Sequence, residues 1–316
     1  MPPVRPALVL AALAALAGCG NHGAPSGAAA SASAPPSRPG AMPDVPAAPA
    51  SPQSPGATAL ANPNPLRLPP ARATIEVGRR VFTFPEQMLA SARPGSTLVL
   101  YGATVAGIEG DDLIIESRGA PSYRVHPGYV IAVPDDARLK PGDPVLTEHG
   151  GVMRHAVVTK LLRDRVGVRF TDGETRSQEA WLLVGSGKPV AGAPSKAARF
   201  LKQAEGLAPG NYAVLHAGSE WLHVLLVSAS GEGDPRRWLA LGFGGAAMVV
   251  DEADLRAVPV RFAAKPGSVV WAESAGKMRR ATVQSADDPG LFSVKYERAG
   301  RPATIGWGLV MAPLEP

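Results

Sequence analysis

Residues 141–173 read PGDPVLTEHGGVMRHAVVTKLLRDRVGVRFTDG, and their pattern decides the fold. Two apolar runs, Ala156-Val157-Val158 and Val166–Phe170, are β-branched and too short for helices. Asp172-Gly173 closes the second run as a turn, and Pro141-Gly142 opens the segment as another. The unit therefore reads as turn, strand, strand, turn. The same opening recurs at Pro94-Gly95, Pro209-Gly210 and Pro266-Gly267. In three copies a strand follows fourteen residues after the glycine: Ala156-Val157-Val158, Val224-Leu225-Leu226 and Ala281-Thr282-Val283. A further strand comes next in each: Val168–Phe170, Leu239–Leu241 and Val294–Tyr296. The second and fourth copies end alike, in Trp181-Leu182-Leu183-Val184 and Trp307-Gly308-Leu309-Val310. The first copy, taken from Pro94-Gly95, has a shorter opening hairpin and ends at Tyr129-Val130-Ile131.

Each unit is thus about 45–55 residues of short strands, the size of a small closed β-barrel. Further runs, Thr97–Leu100, Leu113–Glu116, Val269–Trp271 and Gly308–Met311, read as strands too. The Val-Arg-Phe-Thr-Asp-Gly stretch, residues 168–173, resembles the central strand and turn of Tudor and agenet modules. The resemblance covers residues 93–314 as four copies, and only the second keeps the Asp-Gly hairpin. It implies tandem Tudor-like, SH3-like barrels. It also implies a place for a cation cage, built from several ring faces. Aromatics are 5% of the chain, and the cage positions hold Met153, Trp221 and Met278, so no copy assembles three or four rings. Phe170 and Tyr296 lie at central-strand positions, where packing is the expected role.

The chain has 316 residues, a formal charge of +5, 35 glycines, 33 prolines and one cysteine, Cys19. Only Arg5, Arg38 and Arg67 are basic before residue 71, and only Asp44 is acidic. The remainder therefore holds 29 basic and 26 acidic side chains out of 32 and 27. That balance gives no basic face for nucleic acid. Arg236-Arg237 and Arg279-Arg280 read as solvated pairs. A lone cysteine makes neither an internal disulfide nor a cysteine-rich metal site.

Arg5 precedes an unbroken apolar or small run, Ala7–Gly18, too short to span a bilayer. It ends in Leu16-Ala17-Gly18-Cys19, which resembles the lipobox of bacterial lipoproteins. The resemblance implies cleavage between Gly18 and Cys19, lipid on Cys19, and a place in the cell envelope. Gly20, where an aspartate would signal inner-membrane retention, favours the outer membrane. Residues 20–70 are Ala, Pro, Ser and Gly almost without charge, and are expected to be disordered. About 50 such residues reach roughly 40 Å root-mean-square.

The expected organisation is mainly β: a signal at 1–18, a disordered tether at 19–70, a barrel pair at 71–190, a linker with one short helix at 191–207, and a second pair at 208–316. The helix is read at Ser195–Gly206, where Phe200, Leu201 and Ala204 share one face.

No catalytic set converges. A Gly-x-Ser-x-Gly turn is missing. Gly185-Ser186-Gly187-Lys188 lacks the upstream glycine of a phosphate loop, and Pro189 follows it. His149-Gly150-Gly151 reads as a hairpin tip. Of six histidines, His216 and His223 flank the turn at 217–220 and could face each other across a hairpin, with Glu220 at the tip. Asp251, Glu252 and Asp254 read as a solvated turn rather than a calcium loop. No cofactor or metal is expected. Exposed hairpin rings, Tyr101, Tyr123, Tyr212 and Trp221, are the candidate ligand contacts. The chain reads as a non-enzymatic envelope lipoprotein binding a protein, or alternatively the cell wall. An enzyme with a site between barrels is the third reading.

Overall fold

A turn repeated four times sets the architecture. In the computed structural model, Asp143, Asn211 and Ser268 each donate a backbone N–H to the carbonyl three residues earlier, around Pro141-Gly142, Pro209-Gly210 and Pro266-Gly267. Proline presets the first corner, and each glycine holds a φ of +83° to +86°, which a side chain would resist. Each turn glycine then donates its N–H to the middle of the unit's second strand. Gly142 donates to Val158, Gly210 to Leu226 and Gly267 to Val283, each sixteen positions on.

The structure describes residues 62–70, 75–117, 119–134, 138–149, 152–161, 165–170, 177–181, 200–230, 236–286, 290–298 and 301–314. They form two ten-stranded sheets, each made of two five-stranded barrels. The first barrel has β1 (Arg80–Thr83), β2 (Tyr101–Glu109), β3 (Asp112–Glu116), β4 (Tyr123–Val125) and β5 (Ile131–Ala132). The second has β6 (Pro144–His149), β7 (Val152–Leu161), β8 (Arg165–Phe170), β9 (Ser177–Trp181) and β10 (Phe200–Lys202). The third has β11 (Tyr212–Ala217), β12 (Glu220–Ser230), β13 (Arg237–Leu241), β14 (Ala247–Asp251) and β15 (Leu255–Ala257). The fourth has β16 (Val269–Ser274), β17 (Lys277–Ser285), β18 (Leu291–Tyr296), β19 (Ala303–Gly306) and β20 (Val310–Met311).

Every barrel has the same antiparallel order: the fifth strand beside the first, then second, third and fourth. Every second strand carries a bulge at the same place, at Ala106, Thr159, Val227 or Gln284. A bulge bends a strand and increases its twist, which lets a short sheet wrap around its own core. Each of the last three barrels has an interior cluster of its own, built around Val158 and Phe170, around Val224 and Trp238, and around Val283 and Phe292.

A further cluster links barrels one and three. It joins Phe82, Val105 and Ile115 to Val227, Leu239 and Leu241. Here the bulge changes role. Ala106, Thr159 and Gln284 are exposed, but Val227 is fully buried. The extra residue is a large apolar one only where a neighbour covers it, and burial of a valine contributes roughly 1.5–3 kcal/mol. Within each pair the sheets run on: Tyr101 pairs with Val152 between barrels one and two, and Leu222 with Lys277 between three and four.

Three expectations are corrected. The first barrel opens at Val77-Gly78, not Pro94-Gly95. Gly78 has φ +86° and donates to Val105, the counterpart of Val158. Pro94-Gly95 makes the same kind of turn inside an insertion, residues 84–100, which also holds the short helix α1 (Glu86–Ala90). The opening hairpin is therefore longer than in the other barrels. Gly95 and Leu98 bond to Ala247 and Gly245 of the third barrel. Second, the residues described from the expected helix at 195–206 contain a strand. Phe200–Lys202 pairs with β6 and completes the second barrel, with Phe200 fully buried. Its apolar stripe was too weak to outweigh a free sheet edge. Third, residues 62–70, read as the end of the tether, pack on the first barrel. Leu66 and Leu68 are buried, and the Leu66 N–H donates to the Tyr129 hydroxyl at 2.8 Å. Residues 1–61 and the Asp172-Gly173 turn lie outside the described residues.

Candidate functional site

An open groove rich in rings and cations lies on the fourth barrel. β16 and β17 are joined by the two-residue turn Ala275-Gly276, with φ of 50° and 80°. Paired left-handed residues suit the twist of a hairpin, although alanine adopts them reluctantly. The register places Trp271 opposite Arg280 and Ala281 opposite Tyr296. Trp271, Met278, Tyr296, Arg279, Arg280 and Arg298 consequently line one groove of about 580 Å³, with Ser274 and Glu297.

Met278 is buried and forms part of the groove floor. Trp271 and Tyr296 are half-buried, and the three arginines are exposed. The Tyr296 hydroxyl donates to the Glu273 carbonyl. Burial, and then the Glu273 charge, push its pKa up to about 12, so it stays a neutral phenol. Arg280 meets Glu297 at 3.2 Å in a pair whose two side chains are about 60% exposed. Among the described residues Arg279 and Arg298 have no acid within 4 Å. Lys277 is committed instead to Glu220, with both carboxylate oxygens within 2.7 Å. The groove thus offers flat rings, a thioether and three guanidinium forks against one carboxylate. That set can contact a ligand through ring faces and charge-assisted hydrogen bonds.

A second cavity of about 250 Å³ lies where the barrels meet, lined by Leu100, Met153, Tyr212, His223, Phe243 and Glu273 among others. Tyr212 is held between two histidines, its ring centroid 4.1 Å from His155 and 4.5 Å from His223. These histidines occupy the same position of the second strand in barrels two and three, four residues before the bulge. Nε2 of His155 donates to the Gly210 carbonyl at 2.8 Å, and Nε2 of His223 to that of Gly308 at 2.8 Å. Each bond crosses from one barrel to the next. Burial holds the His223 pKa below its ordinary value, against the opposing pull of the Gly308 bond and the Glu273 charge. The stack is a joint between barrels.

The four rings expected as ligand contacts are not brought together. Tyr123 is core: its ring is 2% exposed and its hydroxyl donates to the Phe84 carbonyl. Burial raises its pKa strongly. Tyr101 is half-buried at the seam of the first two barrels. Tyr212 is in the histidine stack. Trp221 and Tyr212 pack against the same apolar cluster as Met278 and Trp271, at the joint of barrels three and four, and neither lines the groove. His216 and His223 do not face each other. His216 pairs with Trp221 and His223 with Val214, one exposed and one buried. Asp251 and Glu252 pair with Arg237 and Arg236, and the described residues contain no metal-binding cluster. Gly18 and Cys19 lie outside the described residues. Sequence reasoning missed Trp271, Tyr296 and the three arginines. The only signal was the Arg279-Arg280 pair.

No protein-family model matches the chain, and no curated protein matches it. Among solved structures it is similar to the four MBT repeats of Drosophila melanogaster Sfmbt, crystallised in complex with the peptide RHR(me)KVLR. The match has 9% identity and a TM-score of 0.14, over 75% of this chain and 88% of that one. At that TM-score the barrels stand on this chain's own strand pairing.

Proposed function

We propose that the chain is a non-enzymatic, lipid-anchored envelope protein whose four barrels form a platform for binding a protein partner. The groove of the fourth barrel is its contact face. The observation that carries this reading is an open groove on interlocked barrels, lined by Trp271, Tyr296 and three arginines. Tryptophan, tyrosine and arginine are the residues that dominate binding at protein interfaces. The lipobox at residues 16–19 supplies the anchor, and the stretch that follows supplies reach from the membrane.

Site-specific photo-crosslinking tests the platform. A crosslinking side chain at Tyr296 should give discrete adducts with a membrane-fraction protein, and one at exposed Lys265 should not. Adducts at both positions, or at neither, would refute the contact face. Retention on purified sacculi in place of protein adducts would favour cell-wall binding. Cys19→Ala should abolish palmitate labelling and release the protein from membrane; persistent labelling would sink the anchor.

A further inference from the structure

We infer that the groove of the fourth barrel takes an acidic, partly apolar peptide segment of the partner. This rests on the reading of the groove as the contact face and adds its chemistry. Residues 71–316 are near neutral, so the charge of this groove is local. Arg279 and Arg298 have no acid within 4 Å among the described residues, and Arg279 interacts with Glu220 at longer range. Arg280 is held by an exposed pair with Glu297, of a kind worth roughly 0–1 kcal/mol. An incoming carboxylate can displace such a pair at little cost. A guanidinium fork matches a carboxylate with two parallel hydrogen bonds.

The rest of the lining narrows the class. Trp271 and Tyr296 present ring surface, and Met278 a soft floor, between the charges. A bare anion or a polyphosphate would leave that strip uncovered. A peptide alternating carboxylates with apolar side chains covers both parts. The same cations oppose a cationic side chain, so the groove selects against the ligand that a ring cage would hold.

The test uses the full chain in detergent with two fluorescein-labelled peptides, one alternating glutamate and phenylalanine, the other glutamine and phenylalanine. At about 50 mM salt, where surface charge is weakly screened, the glutamate peptide should bind at least about tenfold tighter. The gap should shrink at about 500 mM salt. In the Arg279→Ser/Arg298→Ser variant it should fall to about twofold. Both side chains are exposed, and an unchanged thermal unfolding curve verifies the fold. Equal binding of the two peptides, or a preference that survives the double substitution, overturns the inference. So does displacement of the glutamate peptide by phosphatidylglycerol vesicles that bind through the same arginines, which would mark a lipid surface. If the Tyr296 crosslink persists in the double variant, the acidic-peptide inference fails while the contact face stands. Loss of every adduct in the unsubstituted protein fails the contact face itself.

Discussion

Asp143 should act as the keystone of the second barrel, and removing it should cost about 2–3 kcal/mol. Its carboxylate is fully buried. One oxygen accepts from the Arg261 guanidinium at 2.9 Å. The other accepts from the Lys140 backbone N–H at 3.0 Å and meets the Lys202 ammonium at 3.0 Å. Three parts of the chain therefore meet there: the Pro141-Gly142 turn, β10, and the segment between barrels three and four. Burial alone would raise the carboxyl pKa. The Lys202 and Lys140 hydrogen bonds and the two cations outweigh it, and the pKa falls below the ordinary range. A buried pair broken on one side loses roughly 3–5 kcal/mol. Arg261 and Lys202 are 44% and 41% exposed, however, so water recovers them when the acid is gone. Each cation then counts for roughly 0.5–1 kcal/mol, and the backbone bond for about 1 kcal/mol.

Urea denaturation followed by tryptophan fluorescence should show that loss for Asp143→Ala at pH 7. Asp143→Asn, which still accepts from Lys140, should lose about half as much. The linkage has a definite sign. A carboxyl with a lowered folded pKa contributes stability above its unfolded pKa of about 3.9, and loses it as pH falls through the folded value. The gap between wild type and Asp143→Asn should therefore close as pH falls below about 4. A loss under about 0.5 kcal/mol for Asp143→Ala, or a gap independent of pH, would refute the keystone role.

Three further outcomes follow from named contacts. His223 has its pKa lowered by burial, so its stability contribution is full above about 6.5 and is lost as pH falls through the folded value. Chemical denaturation between pH 7.5 and 5 should show falling stability. His223→Gln, which can still donate to Gly308, should flatten that slope in part, because His126 is shifted the same way by burial in the first barrel. Gly245→Ala should cost about 2 kcal/mol or more and expose residues 84–100 to protease. An added Cβ would sit 2.4 Å from the Leu98 carbonyl oxygen, at a φ of +81°. Ala275→Asn should raise stability by about 0.5–1 kcal/mol in a thermal melt, since asparagine tolerates the left-handed turn that alanine resists.

The repeats were legible because three of the four turns keep their proline and their spacing to the bulged strand. Short apolar runs such as Val166–Phe170 and Val294–Tyr296 also marked strands. The first barrel was misplaced for a physical reason: its turn, Glu76-Val77-Gly78-Arg79, needs only the glycine, whereas Pro94-Gly95 repeats the motif where it docks on another barrel. β10 was illegible because its partner β6 lies more than fifty residues away in sequence. The groove was illegible for a similar reason. Trp271 and Tyr296 meet only through the registers of β16, β17 and β18, so each ring looked like an ordinary core residue. Val227 differs in kind: its apolar identity at a bulge signals the neighbouring barrel, but only once the bulge is known.

The most direct measurement is the set of indole N–H signals in a ¹H–¹⁵N spectrum during titration with the glutamate–phenylalanine peptide. The chain has five tryptophans. The account predicts that the Trp271 signal moves most, that Trp221, packed against the same apolar cluster, moves less, and that buried Trp238 stays in place. Shifts confined to Trp181 or Trp307, or equal shifts with the glutamine peptide, would contradict it.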